Sequence, residues 1–516
     1  MVQANPEIAA LVWEASPLDC VAVLANKAEE WDILSDEGGF SGVPYSSSLS
    51  KTWQASVSQL DRNSLSILSF LSFFDPDCIQ NQFIEMRRST PNFPKFFPDT
   101  DTSVKWRQSI RNLLCRGLIE QMKSSNTMRM HRLVQTVTLH AMNDQDRQEF
   151  FSTALDVIAK GHPQSQDTGD TLFKCWNVCA VYAPHVQRLQ ELQESWQLNT
   201  ASTSSHFNLF FNSSWYLLET GFMDKALTLA RCAEQQLKGN SAETTLQRAS
   251  LYNTYGVVAL QHGEFDAAET WFRETQTLRE RHLTTSHALV VGVTLNLVLL
   301  LLNQMRPEDA VGELKKRDEE IKQDLTLPIR YRSGVDDFLA EAYLFLGHYD
   351  IAWECLQRSI AMTRETLPLE SQGSGYYYFT QGNIRSGQGR LAEAFQYHML
   401  GLEVRRKVLG NHIQTAGSCY RVGDIAARMG NLPEAIERLH EAKEIYGKLS
   451  LIGNYASGGK ARVSWRLSQI YAESGKEEKA KWAKREAMEL FREASCSLKE
   501  TPTTEDFEAL VPPLDR

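Results

Sequence analysis

The 516-residue sequence lacks an apolar run long enough to span a bilayer, an excess of positive charge and any clustered set of cysteines. Its longest apolar run, VVGVTLNLVLLLLN at 290–303, includes Asn296 and ends at Asn303. A transmembrane helix needs about 20 apolar residues, so this run reads as a buried helix. The first twenty residues, MVQANPEIAALVWEASPLDC, have neither a basic start nor a long apolar stretch, so no secretory signal is expected. Lys plus Arg is 54 against 64 for Asp plus Glu, a net charge of −10. Such a balance argues against a general nucleic-acid or anionic-membrane binder, both of which need a basic footprint. The nine cysteines are odd in number and scattered, and only Cys175 and Cys179 fall within one helical turn. A zinc site needs clustered pairs, and a disulfide framework needs even, regular spacing. No metal is therefore expected, and the free thiols suit a reducing compartment. The expectation is a soluble intracellular protein, cytoplasmic, with the nucleus as the other compartment open to it.

Catalytic signatures are missing as well. No GxSxG elbow, HExxH pair or dinucleotide fingerprint occurs. The nearest approach to a phosphate-binding GxxxxGK[ST] loop is Gly453–Lys460, which has the wrong glycine spacing and is followed by Ala461. No Walker B strand ending in Asp is evident. No acidic or thiol ligands cluster with His282 and His287, which read as solvated loop residues. The sequence predicts no enzyme, no cofactor and no small-molecule substrate.

What the sequence does have is a repeat. The strings GEFDAAETWF, GHYDIAWECL, GRLAEAFQYH and GNLPEAIERL share Gly, four residues, then Ala. With that Ala as anchor, the copies fall at Ala226, Ala268, Ala310, Ala352, Ala394, Ala435 and Ala480, spaced by 42, 42, 42, 42, 41 and 45 residues. Five before each anchor stand Gly221, Gly263, Met305, Gly347, Gly389, Gly430 and Gly475. Twelve before stand Ser214, Gly256, Val298, Ala340, Gly382, Gly423 and Ser468, all small except the valine. The glycine can take φ > 0 and turn one helix into the next. The small residue and the Ala let the paired helices approach closely. Leu217, Tyr343 and Tyr471 on first helices, and Phe272, Leu314, Leu356 and Leu439 on second helices, fill the space around them. Each αα-hairpin has an apolar side it cannot bury alone, so the copies must stack.

This segment, 207–494, resembles tetratricopeptide repeats of the kinesin-light-chain type, whose period of 42 residues exceeds the usual 34. The resemblance implies an all-α solenoid of about seven hairpins that binds peptides or proteins. The third copy departs most, with Met305 and Val298 in the two small-residue columns.

The first two hundred residues have no such period. Residues 1–36 read as a helical remnant of two short helices broken at Pro17, and 37–50 as a Gly/Ser/Pro-rich linker. Residues 51–145 read as helices at the segments LSKTWQASVSQL, DRNSLSILSFLSFF, 79–88 and SVKWRQSIRNLLCRG. A small hairpin, LIEQM and MRMHRL, follows them, and the helix LVQTVTLHAM leads out. Residues 146–206 form a helical connector, and 495–516 a polar, Pro-containing tail expected to be disordered. Helices closed by one late hairpin make a winged-helix pattern. The stretch from Lys51 and Trp53 through Ser64–Phe74, the Asp75-Pro76-Asp77 turn and Leu118–Gln135 resembles the winged-helix module of NB-ARC and NACHT receptors, the STAND sensors. Fungal members often carry kinesin-light-chain-like repeats behind that module. Met130, His131 and Arg132 then stand at the family's Met-His-Asp sensor, whose His meets a nucleotide phosphate. Here Arg replaces the acid, so the sensor is degenerate. The resemblance implies that the chain starts where a nucleotide-binding domain would end, through real loss or a truncated gene model.

In a tetratricopeptide superhelix the first helices line the concave groove. The columns 18, 15, 11 and 7 before each anchor supply Asn208, Phe211 and Trp215; Asn253; Asp337 and Glu341; Tyr376, Phe379 and Asn383; Tyr420, Asp424 and Arg428; Arg462, Trp465 and Gln469. Asn can pair with an extended peptide backbone, and aromatics give anchoring area at low entropy cost. For Phe211, Phe379 and Trp465, packing between helices remains an equal reading. The expected function is a non-catalytic interaction scaffold or adaptor related to STAND sensors but without their nucleotide switch. Two alternatives stand: a transcriptional or accessory regulator using the winged helix on DNA through Lys105, Arg107, Arg111 and Arg116, and a peptide-cargo adaptor.

Overall fold

A computed structural model describes residues 57–85, 103–122, 126–163, 172–200, 203–364, 372–449, 454–495, 499 and 501–512. The helical remnant and linker expected over 1–50 lie outside the described residues. The chain divides into two compact units, Met1–Gly239 and Asn240–Arg516. No described helix is long and apolar enough to cross a membrane.

In the first unit, α1 (Arg62–Leu71) starts at Asp61, whose carboxylate accepts from the Ser64 amide as an N-cap. Its apolar face buries Ile67, Leu68, Phe70 and Leu71. The segment expected as a third helix over 79–88 begins instead as a strand, β1 (Ile79–Gln80), before the short α2 (Asn81–Glu85). The difference arises because a third strand edge is available there: Ile79 and Gln80 pair antiparallel with Met128 and Thr127. Helix α3 (Ser103–Cys115) ends at Gly117, which has φ +66°. Strands β2 (Ile119–Met122) and β3 (Thr127–Met130) form the expected hairpin, and the sheet order is β1-β3-β2. Helices α4 (Arg132–Ala141), α5 (Asp144–Gly161) and α6 (Trp176–Trp196) follow. The first hairpin, α7 (Ser204–Glu219) and α8 (Met223–Gln235), packs in this unit. Glu219 ties it down by accepting from the Trp176 and Trp215 indoles and the Leu172 amide.

The second unit is a tetratricopeptide-like solenoid of six hairpins among the described residues. They are α9 (Ala242–Gln261) with α10 (Phe265–Glu280), α11 (Ala288–Asn303) with α12 (Pro307–Lys315), and α14 (Ile329–Phe345) with α15 (Tyr349–Thr363). Then come α16 (Gln372–Gly387) with α17 (Leu391–Leu409), α18 (Ile413–Arg428) with α19 (Leu432–Leu449), and α20 (Asn454–Glu473) with α21 (Glu477–Ala494). A short helix, α13 (Asp318–Gln323), continues the third copy after α12 breaks off.

The sequence columns have direct physical meaning here. All seven turn residues have positive φ, including Met305 at +57°. At the second copy the Gly263 amide donates to Leu260 and the Glu264 amide to Ala259, and Met305 and Arg306 repeat that pattern. This is the paired-bond C-cap that a left-handed residue permits. The anchors Ala226, Ala268, Ala310, Ala352, Ala394 and Ala435 are completely buried. The residue twelve before the anchor faces the one four after it. A Cβ on Gly256 would sit 2.6 Å from the Phe272 ring, one on Gly382 2.6 Å from His398, and one on Gly423 2.8 Å from Leu439. His398 therefore occupies the large-apolar column. Burial, reinforced by Arg421 and Arg405, pushes its imidazole well below the usual range, and neither ring nitrogen has a hydrogen-bond partner among the described residues.

The expected disordered tail is corrected by a last helix, α22 (Thr504–Ala509). Thr503 and Asp506 form a reciprocal capping box, and Phe507 and Val511 are buried. Burying each contributes roughly 1.5–3 kcal/mol, enough to offset the ordering of a few residues.

Candidate functional site

The first helices of the second unit carry most of the expected groove residues, and their environments differ along the array. Asn253 is buried and accepts a 2.9 Å hydrogen bond from Asn296 of the next copy, so a ladder of amides starts the row. One copy on, α14 presents Asp336, Asp337 and Glu341. Asp336 is sealed against Arg358, whose Nη2 lies 2.6 Å from Oδ1. Glu341 is buried and accepts from the Thr380 hydroxyl at 2.9 Å. Asp337 is half-buried, and its Oδ1 is shielded from solvent with no hydrogen-bond partner among the described residues. Burial, then the fields of Glu341 and Asp336, pushes its carboxyl up to about 7. Tyr376 faces the same acids; burial first, and Glu341 and Asp337 after it, hold its hydroxyl well above the usual range.

That shift has a consequence for pH. An unfolded Asp titrates near 4. Between that value and about 7 the native state holds the extra proton, so Asp337 costs stability progressively as pH rises through this window. Asp337→Asn is expected to stabilise the fold at pH 8 by on the order of 1–3 kcal/mol and to change little at pH 4. Denaturant melts at both pH values check this; an equal effect at the two would show that the carboxyl titrates normally.

The next copies correct the expected groove. Phe379 is buried, edge-on to His398 and beneath the Arg405 guanidinium at 4.4 Å, so it packs between helices. Asn383 remains partly accessible. Asp424 pairs with Arg466 at 2.8 Å, and the exposed Arg428 donates to Ser386 at 2.6 Å across copies. Tyr420, Arg462 and Trp465 were expected to await a partner, but the chain's own α22 covers them. The Tyr420 hydroxyl donates to Glu508 Oε1 at 2.5 Å, and Arg462 Nη1 donates to Oε2 at 3.1 Å. The Arg462 guanidinium lies 4.0 Å above the Tyr420 ring. The Trp465 ring stacks on Phe507 at 4.6 Å, and its indole donates to Thr504 at 3.1 Å, as does the Gln469 amide. Burial raises the Glu508 carboxyl, but Arg462 and Arg421 outweigh it and hold the group below its usual range.

Asn208 and Trp215 belong to the first unit. Asn208 is partly buried, and the Trp215 indole is committed to Glu219. In the degenerate sensor, Met130 is a buried strand residue. His131 is exposed and caps α4, its Nδ1 accepting from the Leu133 amide at 3.2 Å. Arg132 reaches Asp77 at 2.8 Å, in the turn before β1. The geometry therefore makes His131 a helix cap at a strand end. Just after α3, the Arg116 guanidinium donates to Asn112 and Gln59. Among the described residues no group of three or more His, Cys, Asp or Glu side chains could hold a metal ion.

Sequence reasoning missed Thr504, Phe507, Glu508 and Val511. Their signal was present: offsets of 0, 3, 4 and 7 put them on one helical face. It was masked by the polar, Pro-containing surroundings.

A family model described as a domain of unknown function, DUF7779, matches residues 55–147, and a tetratricopeptide-repeat model matches residues 377–413. No curated protein matches significantly. Among solved structures, the chain is similar to a Signal Transduction ATPase with Numerous Domains protein with a tetratricopeptide repeat sensor from Pyrococcus horikoshii. The identity is 13%, the match covers 95% of this chain and 73% of that one, and the TM-score is 0.44. It is similar to aspartyl phosphate phosphatase F from Bacillus subtilis at 13% identity, 86% and 98% coverage and a TM-score of 0.44. A putative kinesin light chain from Podosopora anserina shows 19% identity, 41% and 98% coverage and a TM-score of 0.33. The tetratricopeptide match falls on α16, α17 and the turn between them, so family signature and hairpin geometry coincide on the same residues.

Proposed function

We propose that this chain is a non-catalytic scaffold that binds a segment of another protein on the face formed by its first helices. The observation behind this reading is the row of polar groups from Asn253 through Asp337, Asn383 and Arg428 along the first helices, of which Asn383 and Arg428 remain accessible at the surface. Repeats of this architecture build extended recognition surfaces from such rows. The test is capture from source-cell extract with the full chain, comparing wild type with Asn383→Arg/Arg428→Glu. A second-helix control, Glu437→Lys at an exposed position, accompanies it. The first-helix variant should lose at least tenfold of partner retention, about 1.4 kcal/mol, at unchanged helicity, while the control keeps it. Equal capture by all three would refute the assignment, and ATP hydrolysis by the purified chain would refute the non-catalytic part.

The finer reading places the chain beside the STAND sensors, without their nucleotide switch. It is supported by the helices and the three-stranded sheet of order β1-β3-β2 in residues 62–141, the arrangement expected of a winged helix. That topology also supports the second reading, in which α3 presents Lys105, Arg107 and Arg111 to DNA. A gel shift that weakens steeply with salt would favour DNA binding; the acidic chain favours a contact between protein domains.

A further inference from the structure

We infer that the surface formed by α18, α20 and α21 is a receptor for a short acidic helix with an aromatic anchor, and that residues 503–511 are its internal, displaceable occupant. This rests on the reading of the first-helix face as a partner surface and names the partner's chemistry at one end of it. The occupant displays the recognition pattern itself. Thr504, Phe507 and Glu508 lie on one face of α22, with the buried Val511 just past its end, at the spacing by which amphipathic helices dock in grooves. Phe507 enters a slot between Trp465 and Phe491, at ring distances of 4.6 and 5.0 Å. Glu508 is bound at both oxygens by Tyr420 and Arg462.

Two features mark the receptor as built for a docked backbone. Arg462 is 1% exposed, and the carboxylate it bonds is Glu508. Gly458 stands within α20, where glycine is unfavourable, yet a Cβ there would lie 2.6 Å from the Leu510 carbonyl oxygen. The occupant owes its place to these contacts and to its tether rather than to its own helix. A six-residue helix has no independent stability, so it persists by being tethered, at an effective concentration of about millimolar. A partner helix of the pattern Thr-x-x-Phe-Glu-x-x-Val competes with it directly. With the tail released, the uncovered surface is cationic at Arg462 and Arg421 and aromatic at Tyr420 and Trp465, complementary to such a helix.

The experiment uses a fluorescent peptide with the sequence of residues 499–512 and full-length protein. Anisotropy titrations compare wild type, Phe507→Ala/Glu508→Ala, and the same double variant carrying Gly458→Ala. The double variant should bind the peptide at least tenfold tighter than wild type, and Gly458→Ala should abolish the gain. In wild type, saturating peptide should raise hydrogen exchange at residues 504–510 and leave α20 and α21 protected. Equal binding to all three proteins, or none to any, overturns the proposal. So does loss of helical signal beyond α22 in the double variant, which would make the tail a structural cap. Retention of partners at Asn383 and Arg428 is read in the capture experiment, so either reading can fail alone.

Discussion

Ala394→Glu is expected to unfold part of the array rather than merely lower its melting point. Ala394 is completely buried on α17, in the column where second helices meet first helices. A glutamate there adds volume where the partner column already forces glycine at position 382, and it strands a carboxylate without a partner. Overpacking and burial of an unpaired charge together cost on the order of 3 kcal/mol or more. Solenoid stability is a sum of repeat and neighbour terms, so losing one hairpin uncouples the copies on either side. Thermal unfolding followed by circular dichroism should therefore split into separate phases. A single transition at the wild-type temperature would show that the repeat frame is wrong.

Arg358→Ala should come close to that effect by another route. Asp336 is 1% exposed, and the Arg358 Nε and Nη2 groups approach its Oδ1 at 3.2 and 2.6 Å. Removing the arginine, whose own side chain is half exposed, leaves a buried carboxylate without its partner, a loss of about 1–3 kcal/mol. Asp336→Asn/Arg358→Ala should recover at least half of it, because an amide needs no counter-charge. Urea denaturation of the three proteins checks this. A loss below about 1 kcal/mol in the single variant would mean that water reaches the pair.

The solenoid was legible because its constraints are local and repeated. A positive φ at the turn admits glycine, and a helix crossing admits Gly, Ala or Ser, so both columns surface in the sequence at a period of 42. Even the irregular third copy follows the geometry, with Ala310 buried and Met305 left-handed. The site was less legible. Whether a first-helix aromatic packs or waits depends on what covers it, and for Tyr420 and Trp465 the cover comes from residues 88 and 39 positions away in sequence. Such a contact leaves no trace in a 42-residue period. His398 was missed for a related reason: its ring fills a leucine column, a role set by its neighbours and invisible in its polarity. Strand β1 has two residues, too few for any periodicity to register.

Met305 makes the array mechanically uneven. A side chain held at φ +57° costs about 1–2 kcal/mol that glycine at the equivalent turns avoids. The helix after it, α12, has only nine residues before the chain breaks and restarts as α13. In a stack where each hairpin grips only its neighbours, a pull along the axis is resisted by the weakest joint, not by the average one. The strained turn and the break both lie inside the third hairpin, so local opening is expected there first, with Ala310 and the α11 side chains still held in a core shared with Phe272 and Leu339.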